Sequence, residues 1–181
     1  MYFVKKYFIY VSLVLFLINC SNPVPLSNLF PDATDRRYLN VTGLQPGDRV
    51  PDITFYNTDG TTDTLSNILT IKNGVVIYFT MWCIVCDVHM SYIRNTIKPM
   101  YPNVEFYLLD YVSGTIAQAL ANQTGSGYTD FKAALDKNFK LTDMFYGTMS
   151  TTIVIDKNSI LRMNEDFKDG QRLSAVLSVL P

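Results

Sequence analysis

A buried strand that leads directly into a pair of cysteines constrains the fold of this chain more than any other feature. The five residues Val75–Phe79 are all apolar, which is typical of a strand covered on both faces of a sheet. Beyond Cys83, apolar residues recur at helical spacing from Cys86 to Ile97, and Pro99 ends the pattern. The sequence therefore predicts a strand, a short link and a helix from Cys83 to about Ile97, with a Cys-x-x-Cys pair at its start.

Further strands and helices are predicted on both sides of this unit. Residues 53–64 read as a hairpin around a turn at residues 57–60. Since strand–helix–strand units favour parallel pairing and the last two strands are close together, we expect an α/β fold with a mixed sheet and an antiparallel edge. The other predicted strands are Val104–Leu109, Thr151–Ile155 and Ile160–Met163. The predicted helices are Leu65–Leu69, Thr115–Asn122, Tyr128–Asn138 and Gly170–Leu180.

The positions of the two cysteines predict different roles for them. A thiolate on Cys83 would face unpaired amide N–H groups and the positive end of the helix dipole, which predicts a pKa below the ordinary value of about 8.5. Cys86 lies one turn into the helix and is expected to be buried and to remain a thiol. The spacing would let Cys83 attack a disulfide and let Cys86 resolve the mixed disulfide that forms.

The cysteine motif resembles that of a known superfamily. The residues VVIYFTMWCIVC, at positions 75–86, resemble the strand and WCxxC motif of thioredoxin-like proteins of the TlpA and redoxin type. Three more segments agree in order: Pro51–Phe55 with the turn that follows it, Asn103–Asp110, and Thr151–Asn158. The resemblance covers roughly residues 46–181. It implies a three-layer α/β/α sandwich with a central mixed sheet and an N-terminal β-hairpin extension.

The resemblance also implies a function, which is thiol–disulfide exchange with protein disulfides and dithiols and with an upstream redox partner. No cofactor is expected, and c-type haem attachment is excluded because Asp87, not histidine, follows Cys86. Trp82, Met149, Ser150 and Thr151 are expected to surround the dithiol and to form the surface on which substrates dock. The family analogy favours reduction as the direction of exchange.

Two positions depart from the family pattern. Relatives have a cis-proline just before the third of these strands, where this chain has Ser150, so we expect a trans peptide bond between Met149 and Ser150 because a cis bond before a non-proline residue costs about 3 kcal/mol. Relatives of the thioredoxin type carry a buried acid six residues before the first cysteine, and this position is Ile77 here. No carboxylate can therefore be assigned at that position to relay protons.

A peroxiredoxin is the nearest alternative enzyme. Thr80 and Cys83 match its TxxC pattern, but the proline expected seven residues before the cysteine is replaced by Val76. A structural disulfide is a further alternative, although a loop this small would stabilise the fold little.

Metal binding is the alternative from another functional class. Cys83, Cys86 and His89 are spaced for adjacent turns of a helix, and two thiolates with an imidazole would suit Cu(I). The simpler interpretation places His89 on the helix surface or partly in the core.

The N-terminal residues are interpreted as a targeting signal. Lys5 and Lys6 precede the apolar run Tyr7–Ile18, whose length suits a signal peptide better than a membrane span of about 20 residues. The run ends in Leu-Ile-Asn-Cys, which resembles a bacterial lipobox ending at Cys20, with Asn19 as a departure. We therefore predict a signal peptide at residues 1–19, a lipidated Cys20 that opens a flexible tether over residues 20–45, and a thioredoxin-like domain over residues 46–181.

These features predict a bacterial membrane lipoprotein that faces the periplasm, on the inner or the outer membrane. An uncleaved N-terminal anchor is the alternative and gives the same location. The formal net charge is −1 with no cluster of basic residues, so a nucleic-acid partner is not expected.

Overall fold

The computed structural model describes residues 43–181. The predicted signal peptide, Cys20 and the predicted tether up to residue 42 lie outside the described residues. Leu44 is already part of the folded body, since its amide donates to the carbonyl of Met144 at 3.0 Å. No helix in the described part of the chain is both long enough and apolar enough to cross a membrane.

The described residues form seven strands and five α-helices. The strands are β1 (Thr54–Asn57), β2 (Thr62–Thr64), β3 (Gly74–Thr80), β4 (Val104–Asp110), β5 (Lys132–Leu135), β6 (Thr151–Asp156) and β7 (Leu161–Asp166). The helices are α1 (Leu65–Leu69), α2 (Ile84–Tyr92), α3 (Ile116–Gly125), α4 (Lys140–Phe145) and α5 (Gln171–Leu177). A π-helical turn (Ile93–Ile97) and a 3₁₀ turn (Lys98–Met100) extend α2, and a second 3₁₀ turn (Lys137–Phe139) precedes α4.

All seven strands belong to one mixed sheet in the order β2-β1-β5-β4-β3-β6-β7. Strands β3, β4 and β5 are parallel neighbours, and the remaining pairs are antiparallel. The hairpin β1–β2 extends the sheet on one side, and β6–β7 closes the other. The predicted mixed sheet, its parallel core and its antiparallel edge are therefore confirmed.

Helices cover both faces of this sheet, so the fold has three layers. On one face, α2 and α5 pack against a core that includes Val76 and Tyr78 of β3. On the other face, α1 and α4 pack against a core that includes Val75, Ile77 and Phe79. Every residue of β3 is buried, because alternate side chains supply two separate cores. The predicted α/β/α sandwich is confirmed.

The predicted helix Tyr128–Asn138 is wrong. Its middle forms the strand β5, which lies between β4 and β1 and buries Ala133, Ala134 and Leu135. Alanine and leucine favour helices when judged locally, but here small side chains fit a position covered on both faces and the flanking strands supply the backbone partners.

The helix α4 that follows was missed by the sequence analysis. The carboxylate of Asp136 accepts hydrogen bonds from the amides of Leu141 (2.9 Å) and Thr142 (2.8 Å). These bonds satisfy amide groups in the first turn of α4 that have no partner within the helix. The signal was hard to read because the acid lies four residues before the helix begins.

A close approach of Gly147 to strand β3 gives a testable prediction for this fold. A Cβ atom at Gly147 would collide with the ring of Phe79, which is fully buried and cannot move aside. We expect Gly147→Ala to lower the free energy of unfolding by about 1–3 kcal/mol through overpacking, measured by urea denaturation. The matched control is Gly125→Ala at the end of α3, where a Cβ meets nothing within 4 Å and stability should be unchanged or slightly higher. Equal effects of the two changes would contradict the packing described.

Candidate active site

Cys83 lies at the N-terminus of α2, immediately after the end of β3. It is the N-cap residue of the helix, and its sulfur accepts a hydrogen bond from the amide of Cys86 at 3.2 Å. The chain reaches this position through Trp82, which has a left-handed backbone with φ of +59°. The amide of Trp82 donates to the hydroxyl of Thr80 at 3.0 Å, which holds the turn. The predicted placement of the motif at a strand-to-helix junction is confirmed.

The two cysteine sulfurs lie 2.8 Å apart, and both residues are free thiols. Cys86 is fully buried, whereas Cys83 is partly exposed. A partner can therefore reach Cys83 directly, and Cys86 lies behind it at a distance from which it can attack a disulfide formed there. The predicted burial of Cys86 is confirmed, and the division into an attacking and a resolving thiol stays a prediction.

The expected lowering of the Cys83 pKa is wrong for this structure. Burial raises the pKa of the Cys83 thiol, and its hydrogen bond with the Cys86 side chain raises it further. The amides of Cys86 and Val85 act in the opposite direction without reversing the shift. The helix terminus does favour a thiolate, but a charged sulfur placed against the core and beside a second sulfur costs more than the terminus returns.

The loop before β6 contacts the dithiol from the other side. The sulfur of Cys83 lies 3.4 Å from the thioether sulfur of Met149. The amide of Ser150 donates to the carbonyl of Phe79 at 3.1 Å, and the carbonyl of Ser150 accepts from Phe167 at 2.8 Å. All peptide bonds of the described residues are trans, as expected for the bond before Ser150. This loop is therefore tied to the end of β3, beside Cys83.

The four residues expected to surround the dithiol differ in their exposure to solvent. Trp82 and Met149 are partly exposed and pack against the core cluster that contains Cys86. Ser150 and Thr151 are buried. The Thr151 hydroxyl accepts from the amide of Thr148 at 3.0 Å and donates to Asp166 at 3.2 Å. The backbone of Ser150 and the side chain of Thr151 thus support the loop, while Trp82 and Met149 present surface at the site.

Asp110 is a site residue that the sequence analysis missed. It ends β4 next to Thr80 and is fully buried. Its carboxylate accepts hydrogen bonds from the Trp82 indole at 2.6 Å and from the hydroxyl of Ser113 at 2.7 Å, and the amides of Val112 and Ser113 complete the set. The sequence did contain a signal for this residue, because Asp110 is an acid at the end of β4, the strand that runs parallel to β3. Asp110 holds the indole ring beside the dithiol.

His89 of α2 is partly buried and contacts two aromatic side chains. Its Nδ1 atom lies 3.0 Å from the hydroxyl of Tyr78, and its ring packs against Phe167 with centroids 4.8 Å apart. Among residues 43–181, no three histidine, cysteine or carboxylate side chains are arranged to hold a metal ion. The simpler interpretation, a His89 side chain partly in the core, is confirmed, and its Nδ1 atom faces a phenol.

The comparison with protein families decides which group this site belongs to. The model of the family described as Redoxin matches residues 45–179, most of the chain. The chain belongs to the redoxin family. It is therefore a thioredoxin-like oxidoreductase, as the WCxxC motif predicted. No curated protein matches its sequence.

Solved structures share this fold at low sequence identity. A protein from Bacteroides thetaiotaomicron, provisionally named a protein disulfide isomerase, is 22% identical, with a TM-score of 0.60 over 75% of this chain and 88% of its own. The thioredoxin domain of a thiol-disulfide oxidoreductase from Bacteroides vulgatus is 12% identical, with a TM-score of 0.59 over 77% and 100%. The peroxidoxin BcpB from Mycobacterium tuberculosis is 18% identical, with a TM-score of 0.56 over 76% and 96%. The thioredoxin-like fold is shared by all three.

The bond between Asp110 and Trp82 gives a prediction that uses a natural reporter, because Trp82 is the single tryptophan of the chain. We expect Asp110→Ala to lower the free energy of unfolding by about 2–3 kcal/mol, since buried N–H groups lose their acceptor. The fluorescence of Trp82 should shift to longer wavelength as its ring becomes more mobile and more exposed. Asp143→Ala, at an exposed position of α4, is the control and should change neither quantity. Unchanged fluorescence in Asp110→Ala would contradict the role of Asp110 in holding the ring.

Proposed function

We propose that this redoxin-family protein catalyses thiol–disulfide exchange with protein partners through Cys83 and Cys86, in the reductive direction. The observation that carries the proposal is the pair of free sulfurs 2.8 Å apart, one partly exposed at the helix terminus and one buried behind it. Trp82, the residue before Cys83, and Met149, whose sulfur lies 3.4 Å from that of Cys83, supply partly exposed apolar surface at the site. A partner disulfide would dock against this surface.

The reaction has two displacement steps. The Cys83 thiolate attacks a partner disulfide, and the leaving sulfur departs as a thiolate with the electron pair of the broken bond. Cys86 then attacks the sulfur of Cys83, forms the intramolecular disulfide and releases the second partner sulfur. The partner gains two electrons and this protein loses them, so an upstream dithiol must reduce Cys83 and Cys86 before the next cycle.

The raised pKa of Cys83 supports the reductive direction. Burial and the neighbouring sulfur favour the protonated dithiol over the thiolate, whereas strongly oxidising pairs owe their potential to a stabilised thiolate. The sequence between the cysteines, Ile84-Val85, adds no positive charge that would stabilise it.

Substitution of each cysteine tests the proposal. In the full chain, carried in a Cys20→Ala background to remove the third thiol, we expect the parent to reduce a protein disulfide under dithiol recycling. Cys83→Ser should lower the rate of disulfide reduction by at least about 10³-fold, since the attacking sulfur is lost. Cys86→Ser should accumulate mixed disulfides, visible by non-reducing electrophoresis and mass spectrometry. Equal activity of the parent and Cys83→Ser would overturn the proposal.

A peroxide assay on the same proteins separates the alternative enzyme class. The peroxidoxin among the structural neighbours shares the fold only, and the Thr80-x-x-Cys83 pattern is present without the family proline. A peroxidase would consume hydrogen peroxide with a rate at least as high as its rate of disulfide reduction, and would form a sulfenic acid on Cys83. That outcome would replace the exchange function with the peroxidase function.

We further propose that the enzyme is held on a bacterial membrane, facing the periplasm, by lipid on Cys20. The support is the sequence of residues 1–20, with two lysines, an apolar run and a lipobox-like ending. Thioether-linked diacylglycerol together with an N-acyl chain would anchor firmly, because each buried CH₂ adds about 0.8 kcal/mol.

Fractionation of bacterial cells tests the anchor. The parent chain should sediment with membranes and carry the added mass of the lipid on its N-terminal cysteine. Cys20→Ser should lose the lipid, and if the signal is still cleaved, the protein should move to the soluble fraction. Lys132→Ser, a surface change in β5, serves as the control and should stay with the membranes. A parent protein without lipid that still sediments would instead support an uncleaved N-terminal anchor.

A further inference from the structure

The buried thiol of Cys86 must lose a proton before it can resolve a mixed disulfide. Cys86 is fully buried, so this proton cannot pass directly to solvent. Relatives of the thioredoxin type carry a buried acid at the position of Ile77. The Ile77 side chain lies in the core on the opposite face of the sheet from Cys86. A proton acceptor for Cys86 must therefore come from another residue.

Tyr78, the next residue of β3, lies on the same face of the sheet as Cys86. Both belong to one core cluster, and the hydroxyl of Tyr78 is close enough to Cys86 for the two groups to influence each other electrostatically. The phenol is almost fully buried, with 1% of its surface exposed. Burial raises the pKa of Tyr78 well above its ordinary value, and the neighbouring Cys86 and Cys83 add to the shift. Tyr78 therefore does not ionise on its own, but a hydroxyl can accept one proton while it passes on another.

His89 lies on the other side of the same hydroxyl. Its Nδ1 is 3.0 Å from the Tyr78 oxygen, and it lies one helical turn after Cys86 on α2. The imidazole is only partly buried, so a proton that it takes up can pass to water. Burial lowers the pKa of His89, which keeps the ring neutral and able to accept a proton at neutral pH.

Other acidic groups near the site are already engaged. Asp110 accepts hydrogen bonds from Trp82 and Ser113. The Asp87 carboxylate, next to Cys86 in sequence, accepts from the hydroxyl of Tyr128 at 2.6 Å. The described hydrogen bonds of both carboxylates are thus made to groups other than Tyr78 and His89.

We propose that Tyr78 and His89 form a proton relay that deprotonates Cys86 during resolution, with Tyr78 beside the reacting sulfur in the same core cluster and His89 acting through it as the proton acceptor. This proposal rests on the exchange function proposed above. In this proposal, a phenol and an imidazole take the proton of Cys86, because Ile77 stands where a carboxylate could have taken it.

The relay conserves atoms and charge at each step. The Cys86 S–H donates to the Tyr78 oxygen while the Tyr78 O–H donates to Nδ1 of neutral His89. As Cys86 attacks the sulfur of Cys83, its proton moves to Tyr78 and the tyrosine proton moves to Nδ1. The bond between Cys83 and the partner sulfur breaks, the partner leaves as a thiolate with the electron pair, and His89 becomes an imidazolium. Water or the departing thiolate then takes the proton.

The groups that face the relay decide its dependence on pH. Tyr78 is faced by Cys86 and Cys83 from the helix side, with Tyr111 contributing from the far end of β4. His89 is faced by the ring of Phe167, which follows β7, and by Tyr78 of β3. Burial is the cause of the lowered pKa of His89. The relay is therefore expected to work while His89 is neutral and to fail only at a pH below the ordinary histidine range, because burial lowers the pKa of His89.

Stopped-flow measurement of two thiol-release steps tests the relay. The full chain in a Cys20→Ala background is reduced and mixed with an equimolar nitrobenzoate disulfide whose leaving thiolate is coloured. The first release reports attack by Cys83, and the second reports resolution by Cys86. In the parent protein, the second rate should be nearly independent of pH between about 7 and 8, because His89 supplies the base.

Two variants should change this profile in the same way. Tyr78→Phe breaks the relay but keeps the ring. His89→Asn keeps an acceptor near the Nδ1 position but cannot hold a proton at neutral pH. In both, we expect the second rate to fall at least about tenfold at pH 7 and to rise about tenfold per pH unit, since free thiolate is then required. The first rate should remain within about twofold of the parent. Tyr92→Phe, whose ring also packs on Phe167, is the control and should match the parent in both phases.

The outcomes separate the relay from the function on which it rests. If the parent shows no first release, or shows it equally in Cys83→Ser, the exchange function fails. If the first release is normal but the second keeps its pH profile in Tyr78→Phe and His89→Asn, the relay is wrong and the exchange function stands. A uniform loss of rate without a change of slope would show that the two residues only support the fold.

Discussion

Strand β3 is buried on both faces and paired on both edges, and the geometry of the site depends on that burial. Its parallel pairing with β4 places Asp110 beside Thr80, and its antiparallel pairing with β6 brings the Met149 loop to the same end. A strand held on four sides has little freedom to shift. The position of Cys83 relative to its neighbours is therefore set by the sheet, while the short link through Trp82 only directs the sulfur outward.

The alternation of side chains along this strand divides the tasks of the site between two cores. Ile77 and Phe79 stabilise the layer with α1 and α4, whereas Tyr78 reaches the layer that holds the buried sulfur. Moving a polar group by one residue along a strand places it on the opposite face. No titratable group therefore stands six residues before Cys83, where this chain has Ile77. The polar side chain of Tyr78 lies one residue further on and faces the layer that holds Cys86.

Local patterns were sufficient for most of the fold and for the centre of the site. The continuous apolar run of β3, the turn at residues 57–60 and the spacing of the cysteines all depend on residues close in sequence, and each was interpreted correctly. Strand β5 was not, because its alanines become a strand only between β1 and β4. The bonds of Trp82 to Asp110 and of Tyr78 to His89 join different elements, so they depend on the order of the strands and not on a local pattern. The pKa of Cys83 was misjudged because burial depends on the finished core.

The replacement of the family proline by Ser150 has a consequence for how this chain can change. Ser150 has a left-handed backbone with φ of +70°, and its amide donates to Phe79. A proline has no N–H to give and holds φ near −65°, so restoring it alone would break that bond and demand a different loop. The bond joins two backbone groups, so any residue with an N–H can keep it at position 150, and proline alone removes it. A proline at this position therefore requires a rebuilt loop as well.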